Sequence, residues 1–247
     1  MTAPAAHIVV EVAVDTLASA QVAEAAGAAR LELCQAMELG GLTPSPGLIA
    51  AVRARVRLPI FVMIRPRPGE FVFDSSEIEL MAEDIRVAAG AGADGIVIGA
   101  LSESGSVNHD AIRRLVRCAG ELPVTFHRAF DRCPQPIKTL DHLAELGVVR
   151  VLTAGRAATA LEGAAAIARY VRHAPAGFTV IASGGVAGTH VVELVRKTGV
   201  KEVHLSGAYQ MPTSGPSGFG LNTLPNPARL LRVVDALAGA AAPGRGR

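Results

Sequence analysis

Two glutamates, two arginines and two histidines stand where short apolar runs give out. Glu11 lies in the run 8–14, Glu32 in 30–34, Arg65 closes 60–65, His127 and Arg128 close 123–128, and His204 lies in 202–206. An ionised group left unpaired in an apolar interior costs several kcal/mol or more. Charged groups repeatedly placed at the ends of apolar segments are therefore expected to meet at one polar mouth. Side chains alternate along a strand, so an inward Arg65 brings Met63 and Phe61 with it, an inward His127 brings Thr125, and an inward His204 brings Ser206. Such a set suits holding an anionic or polyhydroxyl molecule on Arg65 while a Glu or His moves a proton. The plainer reading is a salt-bridged interior in which Glu11 and Glu32 neutralise Arg65 and Arg128.

Two more segments carry binding chemistry. IASGGVAGTH closes the seventh apolar run and is expected to open a helix, and LSGA follows the eighth. Backbone N–H groups at a glycine-rich turn entering a helix bind anions, and in (β/α)₈ barrels that site follows strands seven and eight. Gly184, Gly185, Ser206 and Gly207 are the expected anion-binding residues; a tight turn without a ligand is the alternative. Cys34 ends the second run in register with Glu32, where a thiol suits a soft metal such as Cu(I). A lone buried cysteine also packs as a small hydrophobe. Cys118 falls in a helix and Cys133 at a loop, so neither offers Cys34 a partner. His127 and His204 have no recognised metal-ligand spacing, and His109, His142, His173 and His190 fall on helical surfaces.

The elements that must position these residues are legible. Strands are expected at 8–13, 29–34, 60–65, 94–98, 123–127, 149–153, 178–182 and 202–206. They are rich in β-branched residues and apolar on both faces, as parallel strands covered by helices are. Helices are expected at 16–26, 45–56, 75–91, 108–119, 136–146, 158–173, 187–198 and 226–238. Asp15, Ser45 with Pro46, Asp74 with Ser75, and Asn108 mark starts. Gly27, Gly92, Gly147 and Gly199 mark ends. Eight alternations without a break in composition predict one (β/α)₈ TIM-barrel domain over 1–238, with 239–247 a disordered tail. An open doubly wound sheet is the alternative, but AVDTLAS after the first strand lacks the G-x-G-x-x-G turn of a dinucleotide site, so no nucleotide cofactor is expected. The connections 35–44, 66–74 and 209–225 exceed the usual two to six residues and all follow strands, so they crowd the same mouth.

Composition agrees. The 247 residues are half apolar, only 4% aromatic and lack Trp, so small and branched aliphatics must fill the core. A net charge of +2 with no basic run argues against nucleic acid. No stretch suits a membrane span. MTAPAAHIVVEV lacks a basic region ahead of an apolar one, so no secretory leader is expected. Three scattered cysteines without CxxC fit a reducing cytoplasm.

Taken together, RLELCQAMELGGLTPSPGLI, IFVMIRPRPGEFVF, DGIVIGAL, LPVTFHRAFD, RVLTAG, ALEGAAAI and EVHLSGAY resemble the CutC copper-homeostasis family, in the family's order, from about Val10 to Tyr209. The resemblance implies a cytosolic TIM barrel, a homodimer or higher homo-oligomer, linked to copper homeostasis with Cu(I) binding. It places Glu11, Glu32, Arg65, His127, Arg128 and His204 at the barrel mouth and a copper ligand of some members at Cys34. The chain also departs from the family. A second cysteine of some members is replaced by Ala13, the seventh-strand loop reads Ala182-Ser183-Gly184-Gly185, and an Arg of the final loop is missing from Gly218–Asn222. A TIM-barrel enzyme working by acid–base chemistry on a small anionic, phosphorylated or sugar-like metabolite is the second functional expectation. A structural barrel without chemistry is the third.

Overall fold

The computed structural model describes residues 8–206, 208–212 and 221–241. Eight parallel strands close in chain order: β1 Val9–Val14, β2 Arg30–Leu33, β3 Ile60–Met63, β4 Gly95–Ile98, β5 Val124–Phe126, β6 Arg150–Thr153, β7 Thr179–Ser183 and β8 Glu202–Ser206. β1 pairs with both β2 and β8, Glu11 lying opposite Arg30 on one side and His204 on the other. The helices α1 Leu17–Ala25, α2 Pro46–Arg53, α3 Ser75–Gly90, α4 His109–Ala119, α5 Pro136–Glu145, α6 Ala164–His173, α7 Val191–Thr198 and α8 Pro227–Ala241 follow the strands in turn. This is the expected (β/α)₈ barrel. No described helix is long and apolar enough to cross a membrane.

Alternation along each strand divides the core into two layers. The outward set, including Val10, Val12, Leu31, Leu33, Ile60, Val62, Ile96, Ile98, Phe126 and Val203, packs under the helices in one cluster. Each such side chain contributes about 1.5–3 kcal/mol when removed from water. The inward set forms a separate, smaller cluster of Cys34, Phe61, Met63, Val97, Leu152 and Ile181. It is too small to fill the barrel, and the remaining interior is polar: Glu11, Arg30, Glu32, Arg65, Thr125, His127, Ser183 and His204 are all buried.

Several local expectations change. The α1 cap is Thr16 rather than Asp15, because Thr16 and Ser19 form a reciprocal capping box. α6 begins at Ala164, not at 158. The preceding turn brings Gly163 so close to the Ala154 carbonyl that a β-carbon there would sit 1.9 Å from its oxygen. α7 begins at Val191 instead of 187. The expected long loop 209–225 is, where described, an antiparallel hairpin of β9 Ala208–Pro212 and β10 Leu221–Pro225. α8 continues through Ala241, into the stretch expected to be a disordered tail, and 242–247 lie outside the described residues.

Candidate active site

Three tiers of polar side chains fill the barrel from floor to mouth. The floor is built at the start of the strands. Arg30 Nε donates to Glu11 Oε2 at 2.5 Å, and its terminal nitrogen donates to Glu202. Arg150 donates to Thr125 Oγ1 at 3.1 Å. The guanidinium carbons of Arg30 and Arg150 lie 5.0 and 4.2 Å from the centre of the Phe61 ring, a favourable cation–π arrangement. Sequence reasoning missed this floor, although strand alternation already put Arg30 in phase with Glu32 and Arg150 in phase with Leu152.

The middle tier is a relay. Glu11, fully buried, accepts from His204 Nδ1 at 2.8 Å. His204 Nε2 faces Glu32 Oε2 at 3.7 Å. Burial raises the Glu11 pKa, but hydrogen bonds and charge from His204 and Arg30 outweigh it and hold the carboxyl down at about 2. Glu32 has no such bonds. Burial, reinforced by the Glu11 charge, pushes it up to about 7 despite the attraction of His204. Burial alone would disfavour imidazolium at His204, yet Glu32 and Glu11 together raise its affinity for a proton. Two carboxylates a few ångströms apart are thus separated in acidity by their environments, the pattern expected of acid–base sites. Donor atoms of Glu11, Glu32 and His204 lie within 4.8 Å of one another. Glu11 already spends its oxygens on Arg30 and His204, and the two carboxylates address opposite nitrogens of one imidazole. The trio therefore suits moving a proton better than chelating one ion.

The top tier comes from residues just beyond the strands. Arg65 donates to the carbonyls of Leu39, Gly41 and Gly69 at 3.0–3.2 Å and stacks over Phe71. It makes no ion pair among the described residues, unlike the expectation that Glu11 or Glu32 neutralises it. His127 Nδ1 accepts the Ala129 N–H at 3.1 Å, which leaves the ring proton of the neutral form on Nε2. Burial, then the Arg65 charge, holds the His127 pKa down at about 3, so the ring is neutral at physiological pH. Gly99 makes the place for it: a β-carbon at 99 would lie 2.3 Å from the imidazole. Arg128 turns to the rim, half exposed, and pairs with Asp131 at 2.9 Å instead of a mouth glutamate. Asp131, also missed in the sequence, accepts from Thr153 and from the backbone of Ala154 and Arg156, tying two mouth loops together.

These residues enclose a cavity of about 140 Å³ lined by Glu32, Met63, Arg65, Phe71, His127, Arg128, Leu152, Ser183 and His204, with Gly40. That is below the ~300–1,000 Å³ of sites for drug-sized ligands. A wider groove of about 760 Å³ between α5 and α6 contains none of the mouth residues. Of the expected set, Glu32, Arg65, His127, Arg128 and His204 meet here. Glu11 lies a tier lower, where it orients His204 without reaching the cavity.

The expected anion site after the seventh strand is only partly realised. Ser183 lines the cavity, and Gly184 and Gly185 form a turn with φ of 106° and 68°. Five residues, Val186–His190, then intervene before α7, so the turn does not open directly onto a helix N-terminus. Ser206 ends β8, and Gly207 lies outside the described residues. Cys34 is buried in the inner cluster, its Sγ 3.0 Å from Met37 Sδ. Burial and the charges of Glu32, Asp15 and Glu38 raise its pKa well above the ordinary thiol value. Cys133 packs in the outer layer, in a different cluster from Cys34.

The CutC family profile matches residues 8–209. A family protein CutC of Xanthomonas axonopodis pv. citri is 43% identical over 234 residues, covering 92% of this chain and 98% of its own. A CutC of Streptococcus agalactiae, described there as a candidate copper homeostasis protein, has a solved structure that is 32% identical with a TM-score of 0.76, over 80% of this chain and 97% of its own. Phosphoribosylanthranilate isomerase of Thermotoga maritima matches with a TM-score of 0.60 at 11% identity, over 94% of this chain and 99% of its own, a likeness of fold alone.

Proposed function

The chain belongs to the CutC family, and from that premise we propose that its barrel mouth binds a small anionic metabolite on Arg65 and performs acid–base chemistry on it with Glu32 and His204. The observation that carries this reading is the Arg65 guanidinium: buried, fixed by three carbonyls, and without a carboxylate partner among the described residues. A buried cation is costly unless a counter-charge arrives, and a ligand supplies it. The Glu32–His204 pair faces the same cavity with one proton to exchange near neutral pH. A thermal-shift screen against carboxylated and phosphorylated metabolites tests it. A ligand at 100 times its Kd stabilises by about 2.7 kcal/mol, or roughly 5–10 °C for a chain of this size. Arg65→Ala is expected to abolish the shift. If no anion stabilises the wild type, the reading falls.

The family's copper association supports a second reading, Cu(I) held by Cys34. The observation in its favour is the thiol–thioether contact with Met37, which puts two soft donors together. Against it, Ala13 and the outer-layer Cys133 leave Cys34 without a second thiolate. Anaerobic Cu(I) titration against a strong chelator, with Cys34→Ser beside the wild type, decides it: equal, weak competition by both excludes specific binding there. The three cysteines are free thiols, which supports a cytoplasmic setting for either reading.

A further inference from the structure

Three residues that line this one cavity each carry a buried polar atom with no hydrogen-bond partner among the described residues: Glu32 Oε1, Arg65 Nε and His127 Nε2. Buried groups of this kind are ordinarily satisfied, so three on the lining of one small cavity define the polarity of a molecule that would bind there. Two are donors and one is an acceptor. The ligand must therefore present oxygen toward Arg65 and His127, and a removable proton toward Glu32. Met63, Leu152 and Phe71 complete the wall with apolar surface.

The state of His127 selects among the reactions open to such a site. A step that protonates a departing group favours an imidazolium. Here the Ala129 N–H occupies Nδ1 and the buried ring stays neutral, so His127 offers an N–H of low acidity. That suits stabilising an oxyanion as it forms at a carbonyl. We propose, building on the anion-site reading above, that the mouth enolises a short 2-oxo acid: its carboxylate lies on Arg65, its 2-oxo oxygen on His127 Nε2–H, and its C3–H toward Glu32. The Glu32 carboxylate takes the C3 proton. The C–H electron pair becomes the C2–C3 π bond, and the carbonyl π pair moves onto the oxygen held by His127. The Glu32 carboxyl then returns a proton to C3, after exchange with solvent through His204. No electron donor or acceptor is consumed.

The test is wash-out of C3 protons in D₂O, followed by proton NMR for pyruvate, 2-oxobutyrate and 2-oxoglutarate, with ligand line-broadening recorded in the same samples. The wild type is expected to accelerate exchange of at least one of them by about 10²-fold or more over the protein-free rate. Glu32→Gln is expected to return exchange to that rate while still broadening the ligand lines, and His127→Asn to slow exchange more than it weakens binding. Folding of each variant is checked by near-ultraviolet circular dichroism. Binding without exchange in the wild type overturns enolisation but leaves the anion site standing. Exchange that persists in Glu32→Gln overturns the assignment of the base. If these acids neither bind nor exchange while another anion stabilises the protein, the substrate class is wrong. If no anion binds at all, both readings fail.

Discussion

At the scale of single residues, burial of ionisable groups at the mouth sets a pH-dependent cost in stability. Glu32 is the clearest case. Its folded pKa of about 7 exceeds the ordinary 4.5, so the native state holds a proton that the unfolded chain has lost between those values. Stability is full below about pH 4.5 and is lost as the pH rises through 7. Glu32→Gln removes this liability. The variant is expected to be more stable than the wild type at pH 8, by about 1–3 kcal/mol, and equal to it near pH 4.5. Chemical denaturation at the two pH values checks this. Glu11 behaves oppositely. Removing its carboxylate as Glu11→Ala leaves Arg30 buried beside Glu202 alone and His204 unoriented. The expected loss is about 3–5 kcal/mol, seen as a fall in denaturation midpoint without a change in slope.

At the scale of elements, the strands do more than carry the reactive side chains, because their glycines leave space for neighbours' rings. β4 presents Gly95 beneath Phe61, and Gly99 stands just past its end against His127; a β-carbon would approach the rings to 2.4 and 2.3 Å. Gly99→Ala is therefore expected to cost about 1–3 kcal/mol and to remove ligand-induced stabilisation by swinging the imidazole out of place. Thermal unfolding with and without the ligand found in the screen measures both. The alternation of strand and helix was legible in the sequence, since parallel strands covered on both sides read as apolar runs and helix ends carry caps and glycines. So was the meeting of Glu32, Arg65, His127 and His204, because strand ends in a barrel converge. Depth was not. One sequence gives the parity of Glu11 but not its tier, which depends on how the strands of the closed sheet are staggered. Nor did it give the starts of α6 and α7, where the close contact of Gly163 with Ala154 and the turn after Gly185 override local helix signals.

At the scale of the whole molecule, the interior groups set the pH range in which the barrel is sound. His127, with its folded pKa held at about 3, loses stability for the protein as the pH falls below the ordinary imidazole value of 6.5. Between 4.5 and 6.5 this opposes the Glu32 effect, so the two largely cancel. Below 4.5, Glu11 adds its own loss as the pH falls toward 2. Above 6.5, His204, whose folded pKa is raised, loses its contribution together with Glu32. The melting temperature is expected to be nearly level from about pH 4.5 to 6.5 and to decline on both sides, with the alkaline decline reduced in Glu32→Gln. A scan of melting temperature from pH 3 to 9 for both proteins checks it, and a wild-type maximum above pH 8 contradicts the placement of these protons.

The packing of Arg30 and Arg150 against the Phe61 ring has a kinetic corollary. It stoppers the barrel at the end away from the mouth, so the interior is a blind well and traffic through it is single-file. If the mouth turns over a substrate as proposed, its product leaves by the way it came, before the next molecule enters. Occupancy by one compound then shuts out every other, and an inert look-alike that fits the well acts as a cork.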